Sequence, residues 1–204
     1  MHIRISTTNS KLGYQIPNIS LPPQHSCRPD APCAKGCYGK RGNFRFANVQ
    51  EAHLGNYEFY ESNPDAYFKE VQSYLNDSLV CFKYFRWHAV GDIVDARYFQ
   101  GMIETARACP QVKFLCFTKK FSLVNDFVAG GGEIPTNLRI VFSAWHKGFK
   151  VDNPNGFPVA YVFFKKENLN PDIPDLAIPC GGHCPECLAC WSLSGGQSVV
   201  FNQH

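Results

Sequence analysis

Short apolar runs alternate with amphipathic helical stripes between residues 63 and 164, and this alternation limits the folds open to the chain. The stripes repeat apolar side chains every three to four residues, which predicts helices. Strands that alternate with helices favour a parallel sheet covered by helices. We therefore predict an α/β fold, either a partial (βα) barrel or an open, mostly parallel sheet with flanking helices. The predicted strands are LVCFKYFRWH at 79–88, VKFLCFT at 112–118, LRIVFSA at 138–144 and VAYVFF at 159–164.

Start signals mark two of the predicted helices. Asn63 directly precedes Pro64 at the start of one helical stripe, and Asp95 directly precedes the next stripe along the chain. Asn63 and Asp95 are therefore the expected N-caps. A shorter helix is predicted at residues 121–129, where three glycines follow it, and another helical stretch at residues 44–61. These signals place two helices before the first predicted strand and two in the gaps between predicted strands.

Length and composition predict one folded domain. The chain has 204 residues, of which 45% are hydrophobic and 18% charged, and this excludes wholesale disorder. We divide the domain into an N-terminal segment at 1–43, a βα core at 44–165 and a C-terminal tract at 166–204. The net charge of +3 is too small to indicate nucleic-acid binding by itself. The sequence shows neither an apolar run long enough to span a membrane nor a signal-peptide core, so we expect a cytoplasmic protein without a membrane partner.

Ten cysteines in a chain expected to stay in a reducing compartment favour metal binding or redox work over disulfides. Seven of them fall in two short tracts that are rich in glycine and proline, which make tight turns cheap. We interpret the remaining three as non-ligands, and expect Cys81 and Cys116 to be buried strand residues that act as small apolar side chains. The first tract contains Cys27, Cys33 and Cys37, and the second contains Cys180, Cys184, Cys187 and Cys190.

The spacing within each tract suggests which metal centre it holds. The first tract reads C-x5-C-x3-C, and three thiolates suit a 4Fe–4S cluster with one iron open to a small molecule. The second reads C-x3-C-x2-C-x2-C, which is closer to ferredoxin-like spacing than to the paired ligands of a zinc site, although zinc stays an alternative there. The fourth ligand of the first site is open, and the spare candidates are His25, His183 and His204.

Polar side chains near the ends of three predicted strands suggest a pocket. Because chemistry in parallel α/β folds collects at the carboxyl ends of strands, these side chains are expected to meet there. Alternation along the first of these strands places Tyr84, Arg86 and His88 on one face. The pocket candidates are Arg86, His88, Thr118 and Lys119, with Asp92, Ser143 and His146 beside them.

Several motifs in order resemble one known family. The segments SCRPDAPCAKGCYGKRG, FRWHAVGDI, FTKK, NLRIVFSAW and CPECLACW, followed by VVFNQH, resemble the phage family called "gene product eighty-eight" from about residue 15 to the end. That family in turn resembles radical S-adenosylmethionine proteins, which build partial (βα) barrels around a 4Fe–4S cluster. The resemblance implies an iron–sulfur protein of the host cytoplasm, with one or two clusters and with an unknown substrate and an electron donor as partners.

The resemblance also implies roles for individual residues. Cys27, Cys33 and Cys37 match the three-cysteine loop after the first strand of the radical enzymes, where the usual spacing is C-x3-C-x2-C. Gly91 and Asp92 match the segment that meets the methionyl amine of S-adenosylmethionine, and Ser143 matches a polar contact with that cofactor. The four-cysteine tract would then hold an auxiliary cluster, or would complete the first site.

Two other classes of function stay open on the sequence. One is a zinc-stabilised module that binds host protein or nucleic acid, and the other is an electron carrier without a substrate. Aromatic side chains interleave with a basic cluster in the N-terminal segment, and such surfaces contact phosphates and bases in nucleic-acid binders. The basic cluster consists of Lys35, Lys40, Arg41 and Arg45, with Tyr38, Phe44 and Phe46 between them.

Overall fold

One eight-stranded sheet organises the chain in the computed structural model, which describes residues 1–77, 79, 81–145, 148–163 and 172–202. Neighbouring strands run in the order β1-β2-β3-β4-β5-β6-β8-β7. Every neighbouring pair is parallel except β1 with β2. The strands are β1 (Ile5–Ser6), β2 (Asn18–Ile19), β3 (Tyr84–Trp87), β4 (Lys113–Thr118), β5 (Leu138–Ser143), β6 (Val159–Phe163), β7 (Ile178–Pro179) and β8 (Ser198–Asn202).

Helices flank the sheet, and the predicted α/β class with a mostly parallel sheet is confirmed. None of the helices in the described ranges combines the length and the apolar character that crossing a bilayer would require. The helices are α1 (Pro23–Ser26), α2 (Ala47–Ser62), α3 (Pro64–Leu75), α4 (Ala96–Ala108), α5 (Phe121–Ala129), α6 (Cys184–Cys187) and α7 (Ala189–Ser192). Three short 3-10 turns lie at Ala34–Gly36, Tyr38–Lys40 and Gly42–Arg45.

The two predicted N-caps are confirmed. The Asn63 side chain accepts a hydrogen bond from the Ala66 amide at 3.1 Å, and Pro64 begins α3. The Asp95 carboxylate accepts from the Tyr98 amide at 2.7 Å and also from the Tyr60 hydroxyl at 2.7 Å. Asp95 therefore caps α4 and also connects α4 to α2 through the Tyr60 hydroxyl.

The order of the parallel strands explains the two-sided packing of the sheet. From β2 to β6 each strand lies next to its predecessor in the chain, so crossovers of one handedness place the connecting helices on one face. That face is the larger core, where Trp87 on β3 and Phe114 on β4 are fully buried against α3 and α4. Phe68 and Tyr98 bring their rings to within 6.2 Å of the Trp87 ring.

The opposite face of the sheet is apolar as well, and segments from both ends of the described chain cover it. Alternate strand residues Leu115, Val141 and Ala160 form a second core there. Trp191 of α7 packs into this core, and so does Ile16 from the segment before β2. The C-terminal cysteine tract is therefore a layer of the fold that seals the second face of the sheet.

The first predicted strand is shorter than expected. The apolar run at 79–88 forms a strand only from Tyr84 to Trp87, because pairing with β2 and β4 extends no further. Leu79 is 90% exposed, and Cys81 is exposed too, so the prediction of Cys81 as a buried strand residue is wrong. The sequence did not predict four of the strands. Strands β1, β2 and β7 have two residues each and carry no periodic signal, and β8 follows the cysteine tract, outside the alternation of strands and helices.

Two glycines in helices test whether packing or helix propensity decides stability. A Cβ on Gly101 of α4 would stand 2.2 Å from Cε2 of the buried Phe68 ring, whereas one on Gly55 of α2 would meet nothing within 4 Å. We expect Gly101→Ala to lower the free energy of unfolding by about 1–3 kcal/mol through overpacking. Gly55→Ala should raise it by about 0.5–1 kcal/mol, as alanine does in an uncrowded helix. Urea denaturation of both variants measures the difference, and a stabilised Gly101→Ala would contradict the α3–α4 packing.

Candidate functional site

The three-cysteine loop lies at the carboxyl ends of the parallel strands. Helix α1 follows β2 and ends at Cys27, which is its C-cap. Cys33 caps the first 3-10 turn and Cys37 joins it to the second, so short turns set the separation of the thiols. All three cysteines are partly exposed. A loop of this kind keeps thiols accessible while holding their backbone in place.

Two contacts attach the loop to the segment that follows β3. The Tyr38 hydroxyl donates a hydrogen bond to the Ala89 carbonyl. Gly39 packs so closely that a Cβ there would lie 2.6 Å from Val90 Cγ1 and 3.4 Å from the Cys37 sulfur. Tyr38 thus has a positioning role for the loop that its place in a basic, aromatic segment did not indicate.

Gly91 lets the loops after β2 and β3 meet. Its φ of +94° is a conformation that other residues avoid, and a Cβ there would stand 2.6 Å from the Leu21 carbonyl oxygen. The Ser26 hydroxyl receives a hydrogen bond from the Asp92 amide at 3.2 Å and donates one to the Pro22 carbonyl at 2.9 Å. This backbone approach accounts for the glycine without reference to any cofactor.

Asp92 ties the end of β3 to the end of β4. Its carboxylate accepts from the Thr118 hydroxyl at 2.6 Å, from the Lys119 amide at 3.0 Å and from the Ile93 amide at 2.8 Å. The side chain is buried, and burial raises its pKa although these donors oppose the rise. Asp92, Thr118 and Lys119, predicted from separate strand ends, are therefore brought together by the fold.

The cysteine loop and this carboxylate share one electrostatic environment. Burial raises the pKa of Cys27 to about 12, and repulsion from Asp92, Cys33 and Cys37 adds to the increase, while attraction by Lys119 opposes it. Without a bound cation, Cys27 is therefore protonated at neutral pH, and a metal that binds there must displace the proton.

His88 does not lie where strand alternation places it. Its φ of +57° turns the side chain away from the face of Tyr84 and Arg86 and into the core on the helix side. There Nε2 lies 3.0 Å from the Tyr98 hydroxyl, and Nδ1 lies 3.9 Å from the Cys116 sulfur. The prediction of one shared face is wrong for His88, because a left-handed residue breaks the two-residue period of the strand.

Ser143 ends β5, two strands away from β3, and is half-buried. Beyond it, the Lys119 ammonium lies 5.6 Å from the centre of the Trp145 ring. His146 and His204, named above as site candidates, lie outside the described residues. His25 stacks on Tyr57, with ring centroids 5.0 Å apart.

The four-cysteine tract is held to the second face of the sheet by backbone contacts. The Cys184 amide donates to the Lys11 carbonyl at 2.9 Å, and the Cys180 amide donates to the Val200 carbonyl at 2.8 Å. The Trp191 indole donates to the Phe85 carbonyl of β3 at 3.3 Å. These bonds join the tract to the Lys11 segment, to β8 and to β3, and its four cysteines line one pocket together with Lys11 and Arg86.

The thiols of this tract also act on one another. Burial raises the pKa of Cys190 to about 12, attraction by Arg86 lowers it, and the other three cysteines raise it further. Burial likewise raises the pKa of Cys184, which Arg86 and Lys11 oppose. His183, a spare ligand candidate, instead faces Glu186, with Nδ1 3.2 Å from Oε1.

The sulfur donors of both tracts suit metal binding, but their side chains are not already arranged around a common point. Seven thiols fall into two groups whose members interact electrostatically, and thiolates are the preferred ligands of zinc and of iron–sulfur clusters. Among the described residues, no three histidine, cysteine, aspartate or glutamate side chains already converge to hold a metal ion. Rotation of the partly exposed cysteine side chains would be needed to bring the sulfurs together.

A family model now supplies the relationship to known proteins. The model described as "Gene product 88" matches residues 3–196. The chain belongs to this family. No curated protein and no solved structure matches the chain. The family resemblance drawn from the cysteine and strand motifs is thus confirmed for gene product 88, and the comparisons do not extend it to radical S-adenosylmethionine proteins.

Two of the three isolated cysteines of the gene product 88 chain are buried. Cys116 packs in the main core on β4, as predicted, and Cys109 is fully buried after α4. Sequence patterns gave no sign that Trp191 and Lys11 belong to the second cysteine site. The position of Trp191 one residue after Cys190 is the only local signal that could have suggested the first of them.

Burial of His88 predicts acid sensitivity. Burial, with repulsion from Arg86 and Lys120, lowers the pKa of His88 to about 3 from 6.5. Between these pH values the unfolded chain binds the extra proton and the folded chain does not, so stability falls as pH drops from about 6.5 towards 3. The contribution approaches about 1.4 kcal/mol per pH unit in that window.

Urea denaturation from pH 7 to 4 measures this slope. His88→Gln should make the dependence of unfolding free energy on pH shallower, because the titrating group is gone. His25→Gln alters an exposed ring and is the matched control, which should keep the slope of the unmodified protein. An unchanged slope in His88→Gln would contradict the burial of a neutral imidazole.

Proposed function

We propose that this gene product 88 protein binds a 4Fe–4S cluster through Cys27, Cys33 and Cys37. The observation that carries the proposal is a loop with three partly exposed thiols that Tyr38 and Gly39 hold at the carboxyl edge of a parallel sheet, where Ser26, next to Cys27, receives a hydrogen bond from the Asp92 amide. Sites at this edge are where parallel α/β folds place ligands and chemistry. Three thiolates leave one iron of a cubane without a cysteine ligand, which would supply a position for a small molecule or a further ligand.

In the proposed site, the chain's own residues would position the three thiols and set the charge around them. Tyr38 and Gly39 hold the loop against Val90, so the thiols cannot drift from the strand ends. Lys119 attracts the Cys27 thiolate and favours its ionised form. Asp92 fixes the backbone that carries Lys119. A resident cluster would supply one-electron chemistry, while the protein sets its surroundings.

S-adenosylmethionine is proposed as the molecule that meets the open position, with Gly91, Asp92 and Ser143 as its proposed contacts. The carboxylate of Asp92 already accepts from Thr118, Lys119 and Ile93. A methionyl amine would therefore compete with these donors, and the side chain is only 6% exposed. Cluster binding, by contrast, requires only rotation of partly exposed thiols.

The four cysteines at 180–190 are proposed to hold a second metal centre, either an auxiliary 4Fe–4S cluster or zinc. One observation favours zinc: all four cysteines line a single pocket with apolar walls, and structural zinc sites take all four ligands from the protein. A zinc-stabilised binding module is then the second candidate function. This candidate is supported by the basic cluster of the N-terminal segment, which carries Phe46 with 59% of its surface exposed.

An electron carrier without a substrate is the third candidate function. Both the radical enzyme and the electron carrier would need an electron donor as a partner.

Metal content tests the first part of the proposal. We expect anaerobically prepared protein to be brown, with broad absorbance near about 400 nm and about four irons and four sulfides, or about eight of each if both tracts hold clusters. Cys37→Ala should remove about four irons, because the cluster loses a ligand. Cys81→Ala and Cys109→Ala are the matched controls and should keep the metal content of the unmodified protein. Colourless protein with stoichiometric zinc would refute the iron–sulfur proposal.

Electron paramagnetic resonance of the reduced cluster tests the second part. Addition of S-adenosylmethionine should change the cluster signal, since the cofactor would bind at the open iron, and 5′-deoxyadenosine should form under reducing conditions. Cys187→Ala, which alters only the second tract, should keep the spectral change. If the signal of iron-loaded protein does not change when S-adenosylmethionine is added, the proposal of cluster binding stands and radical chemistry with this cofactor is excluded.

A further inference from the structure

Two cations face the pocket of the four C-terminal thiols. Arg86 projects from β3 onto the second face of the sheet, and Lys11 comes from the segment that runs beneath α6. Each lies over an aromatic ring, with the Arg86 Cζ 4.5 Å from the Phe117 centroid and the Lys11 Nζ 4.6 Å from the Phe201 centroid. Those two rings contact each other edge to face at 5.6 Å. The cations are thus positioned as a pair.

Neither cation is neutralised by a carboxylate in the part of the chain that the structure describes. The ion pairs found there involve His2, Arg28, Arg97 and His183, and the Arg86 Nε is buried without a hydrogen-bond partner. Burying a guanidinium nitrogen without a partner costs free energy. The four cysteines line the same pocket as Arg86 and are the groups there that could supply an anion to it.

Charge arithmetic identifies that anion. Four thiolates bring four negative charges, whereas Zn²⁺ or an oxidised 4Fe–4S core brings two positive charges, so the metal-bound site keeps two negative charges. Arg86 and Lys11 bring two positive charges to the same pocket. The two cations therefore match the residual charge of a metal-bound site both in number and in place.

We propose that Arg86 and Lys11 are the countercations of a metal–tetrathiolate centre formed by Cys180, Cys184, Cys187 and Cys190. This inference rests on the second metal centre of the proposed function and holds for zinc and for a cluster alike. Arg86 acts through the thiolates and is a positioning residue that does not itself ligate the metal. Partners outside the ligand shell commonly change metal affinity by about 10–100-fold.

Arg139 provides a matched control. It lies on β5, where Leu115 of β4 separates it from Arg86 across the register, and its Nε is also buried without a partner. It does not line the cysteine pocket. Arg139→Met therefore removes a comparable guanidinium from the same sheet without touching the thiols.

Cobalt titration of the reduced full-length chain tests the inference. In a background with Cys27→Ser, Cys33→Ser and Cys37→Ser, sulfur-to-cobalt absorbance reports binding to the C-terminal thiols alone. We expect Arg86→Met to weaken Co²⁺ binding by about tenfold or more, and Lys11→Met to weaken it too. Arg86→Lys keeps the charge and should stay within about threefold of the background chain, as should Arg139→Met.

Thermal melting of the metal-free variants separates charge compensation from a structural role. Metal-free Arg86→Met should melt no lower than the background chain, since it removes a buried nitrogen without a partner. Equal cobalt affinities for Arg86→Met and the background chain would overturn the inference, and so would an equal loss in Arg139→Met or a loss matched by a lower melting temperature. A background chain without the sulfur-to-cobalt band would overturn the second metal centre itself, and the inference with it.

Discussion

The second face of the sheet is apolar, and the connecting helices cannot cover it. Because β2 to β6 follow one another across the sheet, the crossovers deliver α2 to α5 to one side only. Water would otherwise meet Leu115, Val141 and Ala160. The C-terminal tract solves this by packing Trp191 against β3, and it brings four cysteines with it. Sheet topology thus decides where the second group of thiols must lie.

The carboxyl edge of the sheet follows from a different constraint, the close approach of two loops. Gly91 permits contact with Leu21, and Ser26 and Asp92 then join the loops after β2 and β3. The same carboxylate reaches Thr118 on β4, so three strand ends become one rigid edge beneath the three-cysteine loop. A rigid edge is what a site needs if its ligands come from separate strands.

Much of the fold was predictable because its signals are local. Asn63 and Asp95 mark the starts of their helices because their side chains are suited to N-capping, and β4 and β5 correspond to largely apolar runs in the sequence. The errors lie where tertiary contacts override the local pattern. His88 leaves its predicted face through a left-handed backbone conformation, and Cys81 lies outside β3, because pairing with β4 begins at Tyr84.

The sequence by itself determined the chemistry available, namely seven thiols in two tracts, and the α/β class of the core. It also indicated the family, through motifs in order along the chain. Only the tertiary structure decided which groups meet: Cys27 with Asp92 and Lys119 at the sheet edge, and the C-terminal thiols with Arg86 on the second face. The reason is physical, since composition and spacing act along the chain, whereas burial and electrostatic contact depend on segments that are distant in sequence.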